Sequence, residues 1–146
     1  MALLAALAVG SAGAAQPPAF ANRLLLVFGP ADGSGAFDLQ MSRARDADCG
    51  IRERAMKIVP LTGDRPTTID GQRVFPGSLR QSFGVAEGAF AAILIGKDGT
   101  EKFRADQPVR MAEIFDRIDA MPMRREEMRR ARAVGAAPCQ APPRPD

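Results

Sequence analysis

The chain has 146 residues, enough for one domain, and its hydrophobic fraction of 46% and charged fraction of 25% are ordinary for a globular protein. It contains no histidine, which excludes the usual general base at neutral pH, the commonest metal ligand and imidazole-dependent nucleophiles. We therefore expect no metal and no cofactor, and an enzyme becomes the less favoured class. The net charge of +3 lies in Arg124–Arg132, which holds five arginines and two glutamates, because the 15 basic and 15 acidic residues elsewhere cancel.

The N-terminus has the composition of a secretory signal peptide, which we place at residues 1–15. Ala2–Ala15 is uncharged, small and aliphatic, and Ala12-Gly13-Ala14 offers a small-x-small cleavage site before the Gln16-Pro17-Pro18 break. The run is too short to span a bilayer, so we expect no integral membrane span in the mature chain. A buried N-terminal helix is the alternative, but the run lacks an amphipathic period. A periplasmic or secreted location follows.

The first predicted elements are a strand, a loop and a helix. Leu24–Phe28 is a continuous apolar run, typical of a strand buried on both faces. Gly29–Gly35 is a turn-rich loop. The next helix is indicated by apolar residues at helical spacing, with Gly50-Ile51 as its predicted C-terminal cap. The apolar positions of that helix are Phe37, Met41 and Ala44.

The middle of the chain predicts an edge strand, a long loop and a short helix. Met56–Leu61 is the strand, and Pro60 places it at an edge because proline cannot donate to a ladder. Thr62–Gly77 is predicted to be irregular, since it carries two prolines and three glycines. Ser78 with Gln81 has the form of a capping box that opens a short helix.

The last third predicts a hairpin and two helices. Ala91–Ile95 and Thr100–Ala105 are strands joined by a turn at Lys97-Asp98-Gly99, where Asp-Gly tolerates positive φ. A helix begins near Pro108 and carries one apolar stripe, and Pro122 interrupts it. The stripe consists of Met111, Ile114, Phe115, Ile118 and Met121.

These elements form a β-α-β unit followed by a β-β-α unit. That order is the thioredoxin-like arrangement: an α/β fold with a central four-stranded mixed sheet flanked by helices and the second strand at an edge. We place the thioredoxin-like domain at residues 22–123. A basic polar helix follows at 124–133, and a disordered Pro/Ala-rich tail at 134–146.

Three segments carry a resemblance to a known family. Leu79–Val85 resembles the short helix that ends in a Phe/Tyr-Gly-Val step, and Ile93–Gly99 resembles the central strand and its turn. Together with Asp119–Met128, whose Met-Pro-Met-Arg-Arg is the most specific part, they resemble the domain-of-unknown-function 4174 family over 22–130. The resemblance implies a thioredoxin-like fold. It also implies relatives among secreted bacterial single-domain proteins and modules of animal extracellular matrix-associated proteins.

The chain departs from an active thioredoxin at two places. Gly29–Gly35 stands where a C-x-x-C would open the first helix, and Phe90 takes the place of the cis-proline. No catalytic residue can therefore be carried over from a redox-active relative.

Two groups of residues are candidate sites near the domain. Gly33, Ser34 and Gly35 lie in a strand-to-helix loop whose N–H groups and helix dipole favour an anionic ligand, and the alternative is a flexible turn. Cys49 and Cys139 could form a disulfide that pins the tail to the domain, and the alternative is two unrelated thiols. Neither cysteine has a C-x-x-C partner.

The basic segment is the third candidate. As a basic patch it could contact an unknown protein or an anionic surface, and the alternative is a solvated polar helix. Nucleic acid is excluded as a partner because the chain is exported and no aromatic residues are interleaved with the arginines. The patch consists of Arg124, Arg125, Arg129, Arg130 and Arg132.

The sequence therefore favours an exported, non-catalytic thioredoxin-like module with a binding or structural function. Two alternatives remain. One is a thiol oxidoreductase-like or peroxiredoxin-like enzyme that uses Cys49 with Cys139 as a distant resolving thiol. The other is a peripheral membrane-associated factor that uses Arg124–Arg132.

Overall fold

The computed structural model describes residues 20–139. The predicted signal peptide at 1–15 and the last seven residues of the predicted tail lie outside this range. The elements in chain order are β1 (Arg23–Gly29), α1 (Gly35–Asp46), α2 (Asp48–Glu53), β2 (Met56–Thr62), β3 (Thr67–Ile69), β4 (Gln72–Val74), α3 (Pro76–Phe83), β5 (Ala91–Ile95), β6 (Glu101–Ala105), α4 (Met111–Asp119) and α5 (Pro122–Ala133).

The central sheet has four strands in the order β2-β1-β5-β6. β1 pairs in parallel with β2 and antiparallel with β5, and β5 pairs antiparallel with β6. Every residue of β1 is buried because helices cover both faces of the sheet. Pro60 lies in the edge strand β2, opposite Val27. The predicted α/β fold with a four-stranded mixed sheet is thus confirmed.

Alternation along β1 divides the core into two layers. Leu25 and Val27 point to one face, where Ile114 and Ile118 of α4 pack on them. Leu24, Leu26 and Phe28 point to the other face, toward α3. β1 therefore contributes side chains to both layers of the core.

The prediction that Thr62–Gly77 is irregular is wrong. β3 and β4 form an antiparallel hairpin within it, with Ile69 paired to Gln72. The two turn residues Asp70 and Gly71 have φ of 47° and 81°. Asp-Gly with two positive φ values is the preferred chemistry of a two-residue hairpin turn, so the local signal was present in the sequence.

Two predicted helix boundaries are also wrong. Gly50 lies inside α2 instead of capping a helix, because α1 already ends at Asp46 and a new short helix follows. Ser78 does not cap α3, which begins at Pro76. Proline at the first helical position needs no N–H partner, so Pro76 starts the helix three residues before Leu79, the first helical residue that the capping box predicted.

Candidate functional site

The loop that follows β1 is held close to α1. An ideal Cβ on Gly29 would lie 2.9 Å from Cβ of Phe37, so only glycine permits this approach. The Ser34 hydroxyl caps α1 by accepting the N–H of Phe37 at 3.1 Å. Gly33 has a φ of 78°. Ser34 therefore serves the helix cap, and Gly33 and Gly35 flank it.

A cavity of about 550 Å³ opens beside this loop, at the carboxyl ends of β1 and β2. The predicted anion-binding residues Gly33, Ser34 and Gly35 are not part of its wall. The cavity lies instead between the preceding residues of the loop, the end of β2 and α3. Its wall consists of Gly29, Pro30, Ala31, Gly63, Asp64, Gly77, Arg80, Gln81, Val85, Glu87 and Gly88.

Arg80 joins the two loops at this end of the sheet. Its Nη2 donates to the Gly29 carbonyl at 2.6 Å, and its Nη1 donates to the carbonyls of Ala86 and Ala89 at 2.7 and 3.1 Å. The guanidinium also lies over the Phe28 ring, 5.3 Å from its centroid. Arg80 therefore connects the loop after β1 to the segment before β5.

Burial lowers the pKa of Arg80, and the charge of Glu87 partly offsets this effect. The arginine remains charged because an ordinary guanidinium titrates far above neutral pH. A positive charge is thus fixed in the wall of the cavity.

The segment before β5 contains Phe90, which the sequence predicts at the place where a redox-active thioredoxin has its cis-proline. Phe90 is partly buried and packs against the core layer beneath α4. No peptide bond within residues 20–139 is cis. The position predicted to replace the cis-proline is thus occupied by a side chain that contributes to packing.

Cys49 and Cys139 are joined by a disulfide, with an S–S distance of 2.03 Å and a Cα–Cα distance of 5.9 Å. The bond links α2 to the segment after α5. α2 leads into Met56, which pairs with Arg23 at the amino end of β1. The disulfide therefore lies at the end of the sheet away from the cavity, separated from it by the length of β1, about 20 Å.

The amino end of β1 also holds a network of arginines and carboxylates. Arg23, 1% exposed, donates from both terminal nitrogens to Glu127 at 3.1 Å. Lys97 donates to the same carboxylate at 2.7 Å. Asp119 accepts from Arg54 at 2.7 Å. These contacts fasten α5 to β1 and α4 to the segment between α2 and β2.

Arg124, one of the five arginines of the predicted basic patch, does not lie at the surface. This side chain is buried and has protein partners: its Nε donates to Asp119 at 3.1 Å, and its Nη1 donates to the carbonyl of Glu53 at 3.1 Å. The other four arginines of the patch are exposed. Arg129 and Arg130 both pair with Glu126, so their charge is partly neutralised. The other two exposed arginines of the patch are Arg125 and Arg132.

The two carboxyls of the network have lowered pKa values. Partial burial alone raises the pKa of Glu127, but hydrogen bonds from Arg23 and Lys97 outweigh that effect. Burial likewise raises the pKa of Asp119, and hydrogen bonds from Arg54 and Arg124 outweigh it. Both groups are therefore ionised at neutral pH and act as anchors for the cations around them.

Within the described part of the chain, no three metal-ligating side chains of the histidine, cysteine or carboxylate type gather into a candidate metal site. None of the helices in residues 20–139 has the length and apolar character needed to cross a membrane.

Comparison with known sequences assigns the chain to a family. Residues 19–127 match the family described as Domain of unknown function (DUF4174). The chain belongs to this family. The human sushi repeat-containing protein SRPX is 32% identical over 113 residues, and mouse SRPX2 is 31% identical over 115 residues. These matches cover 73% and 75% of this chain but only 24% and 25% of the relatives, so the chain spans about a quarter of their length.

Solved structures confirm the thioredoxin-like fold of this family member. The reduced 2-Cys peroxiredoxin of Plasmodium vivax has a TM-score of 0.54 at 15% identity, with coverage of 72% of this chain and 80% of that chain. A thioredoxin-fold protein from Helicobacter pylori has a TM-score of 0.52 at 13% identity, with coverage of 81% and 84%. At such identities the likeness concerns the fold.

The sequence prediction missed two arginines that organise the site. Arg80 adjoins Leu79 in the short helix, and an arginine next to the apolar face of a helix is a weak signal of a buried guanidinium. Arg23 directly precedes the apolar run of β1. An arginine at the start of a strand buried on both faces needs a carboxylate partner, but the sequence does not identify Glu127 as that partner.

Proposed function

We propose that this chain is an exported module of the DUF4174 family that binds or supports another molecule without thiol chemistry. One observation carries the proposal. The loop after β1, where a redox-active thioredoxin opens its helix with C-x-x-C, has no cysteine, and Arg80 holds the start of this loop by donating one hydrogen bond to the Gly29 carbonyl. Both cysteines of the chain are bonded to each other elsewhere.

Export to the periplasm or the cell exterior forms part of the same proposal. The uncharged N-terminal run with a small-x-small step supports it. The disulfide supports it as well, because such bonds persist mainly in oxidising compartments. Mass spectrometry of the chain recovered from its native envelope should find an N-terminus just after residue 15.

Turnover assays test the proposal. The mature chain is incubated with insulin and dithiothreitol, and separately with hydrogen peroxide and a thiol donor, beside a thioredoxin as positive control. We expect rates equal to the protein-free background in both assays, because no thiol pair lies at the helix opening. Turnover that disappears in Cys49→Ser would establish the oxidoreductase alternative and refute the proposal.

A further inference from the structure

Arg80 differs in its partners from the other arginines whose side chains have little exposure to solvent. Arg23 and Arg124 bind carboxylates, and so does Arg54. Within residues 20–139, Arg80 makes no ion pair at all, although only 8% of it is exposed. Its three partners are backbone carbonyls. A buried cation without an anionic partner is costly, and a bound anion would remove that cost.

The guanidinium also retains hydrogen-bonding capacity. Arginine has five N–H donors, and Arg80 directs three of them to carbonyl oxygens. Its Nε–H has no acceptor among residues 20–139. Among the described residues, the one buried side-chain nitrogen or oxygen without a partner is Nε of Arg23. Nε of Arg80 is therefore not fully buried, and the residue forms part of the cavity wall.

The rim of the cavity has the opposite charge. Asp64 and Glu87 line it and are exposed, whereas Arg80 is buried at its base. A ligand with only negative charge meets repulsion at this rim. A ligand that also carries a positive group gains from both ends, because an ammonium near the carboxylates complements them.

The volume and wall of the cavity suit a small ligand. About 550 Å³ lies within the usual range for small-molecule sites. Glycines form much of the wall, including Gly29, Gly63 and Gly77. Their backbone amide and carbonyl groups are therefore not shielded by side chains.

We propose that this cavity binds a free α-amino acid in its zwitterionic form, with its carboxylate on Arg80 and its ammonium group toward Asp64 and Glu87. A basic side chain is preferred, because the cavity carries two carboxylates against one guanidinium. The inference rests on the proposed binding function and gives that function a ligand class.

Isothermal titration calorimetry on the mature chain tests the inference with three probes: L-lysine, L-glutamate and acetate. Gly77→Leu is the blocking variant, because an ideal Cβ on Gly77 meets no atom within 4 Å and the residue lines the cavity. Ser82→Leu adds the same side chain to an exposed position of the same helix outside the cavity. It is the matched control for folding and for nonspecific apolar effects.

We expect saturable binding of L-lysine, and binding of L-glutamate and acetate that is at least about tenfold weaker. L-lysine binding should be lost in Gly77→Leu and unchanged in Ser82→Leu. Asp64→Asn should weaken L-lysine binding by a factor of about three, as for an exposed ion pair. Absence of saturable binding with all three probes overturns the inference, as does full binding in Gly77→Leu. Acetate binding as tight as that of L-lysine refutes the zwitterionic class. These results are independent of thiol turnover, which tests the proposed function.

Discussion

The buried arginines of this chain have two different kinds of hydrogen-bond partner. At the amino end of β1, Arg23 and Arg124 bind carboxylates that belong to α4 and α5. At the carboxyl end, Arg80 binds only carbonyl oxygens beside an open cavity. The first arrangement fastens α5 to β1 and to α4, and the second leaves a positive charge available to a ligand.

Removal of the carboxylate at the amino end should destabilise the fold. Glu127→Gln leaves Arg23 and Lys97 without their anionic partner, and Arg23 is almost wholly buried. We expect the free energy of unfolding to fall by about 2 kcal/mol, less than for a fully buried pair because Glu127 is partly exposed. Urea unfolding measures this free energy. Glu113→Gln breaks the exposed pair with Arg117 and is the control, with a change below about 0.5 kcal/mol. Equal losses in both variants would contradict the network's role.

The same carboxyls make stability depend on pH. Folding lowers the pKa values of Glu127 and Asp119, so in acid the folded chain binds fewer protons than the unfolded chain. Their contribution is complete above the ordinary carboxyl pKa of about 4 and is lost as the pH falls through the lowered values. Urea midpoints should therefore fall between about pH 5 and pH 3. Glu127→Gln should show a shallower decline, and an identical decline would contradict the assignment.

At the scale of elements, α2 depends on a close contact with α4. An ideal Cβ on Gly50 would lie 2.6 Å from the Phe115 ring. Arg54 packs on the same ring, with its Cζ 4.2 Å from the ring centroid, and its Nη1 would lie 3.3 Å from the added Cβ. A new methyl group at Gly50 therefore meets both the ring and the guanidinium.

Gly50→Ala should consequently lower the free energy of unfolding by about 1 kcal/mol, because overpacking outweighs the better helix propensity of alanine. Gly77→Ala is the matched control, since its Cβ enters open space in α3. That variant should gain about 0.5 kcal/mol. Thermal unfolding of both variants measures the two changes in stability. A Gly50→Ala chain as stable as the parent would show that α2 and α4 separate easily.

Most of the elements could be predicted from local patterns. The buried strands were evident from apolar runs, as in Leu24–Phe28, and α4 from its apolar stripe. The β3–β4 hairpin was missed because two strands of three residues are too short to establish a period. Its Asp70-Gly71 turn was the only strong local signal.

The site was far less predictable, because its contacts join distant parts of the chain. Glu127 is 104 residues from Arg23, and Arg80 is 51 residues from Gly29. Composition and periodicity report on neighbours along the chain, so they cannot pair such residues. For the same reason Arg124 resembled one member of a basic run, whereas its neighbours Asp119 and Glu53 make it a buried residue.

At the scale of the whole molecule, the disulfide holds the segment after α5 against α2. It joins cysteines 90 residues apart, so it removes much conformational freedom from the unfolded chain. Cys139→Ser should lower the free energy of unfolding by about 2–4 kcal/mol. Dithiothreitol should lower that of the parent by the same amount and leave the variant unchanged. A parent unaffected by full reduction would contradict this role of the disulfide.

The reduction potential of the Cys49–Cys139 bond tests the central claim that this thioredoxin-like fold performs no thiol chemistry. A bond that stabilises the folded state is itself stabilised by folding, so the oxidised form should be strongly favoured. Equilibration in dithiothreitol buffers, with the two redox forms separated after alkylation, should give a potential below about −300 mV. A potential between about −120 and −270 mV, the range of thiol oxidoreductases, would contradict the account.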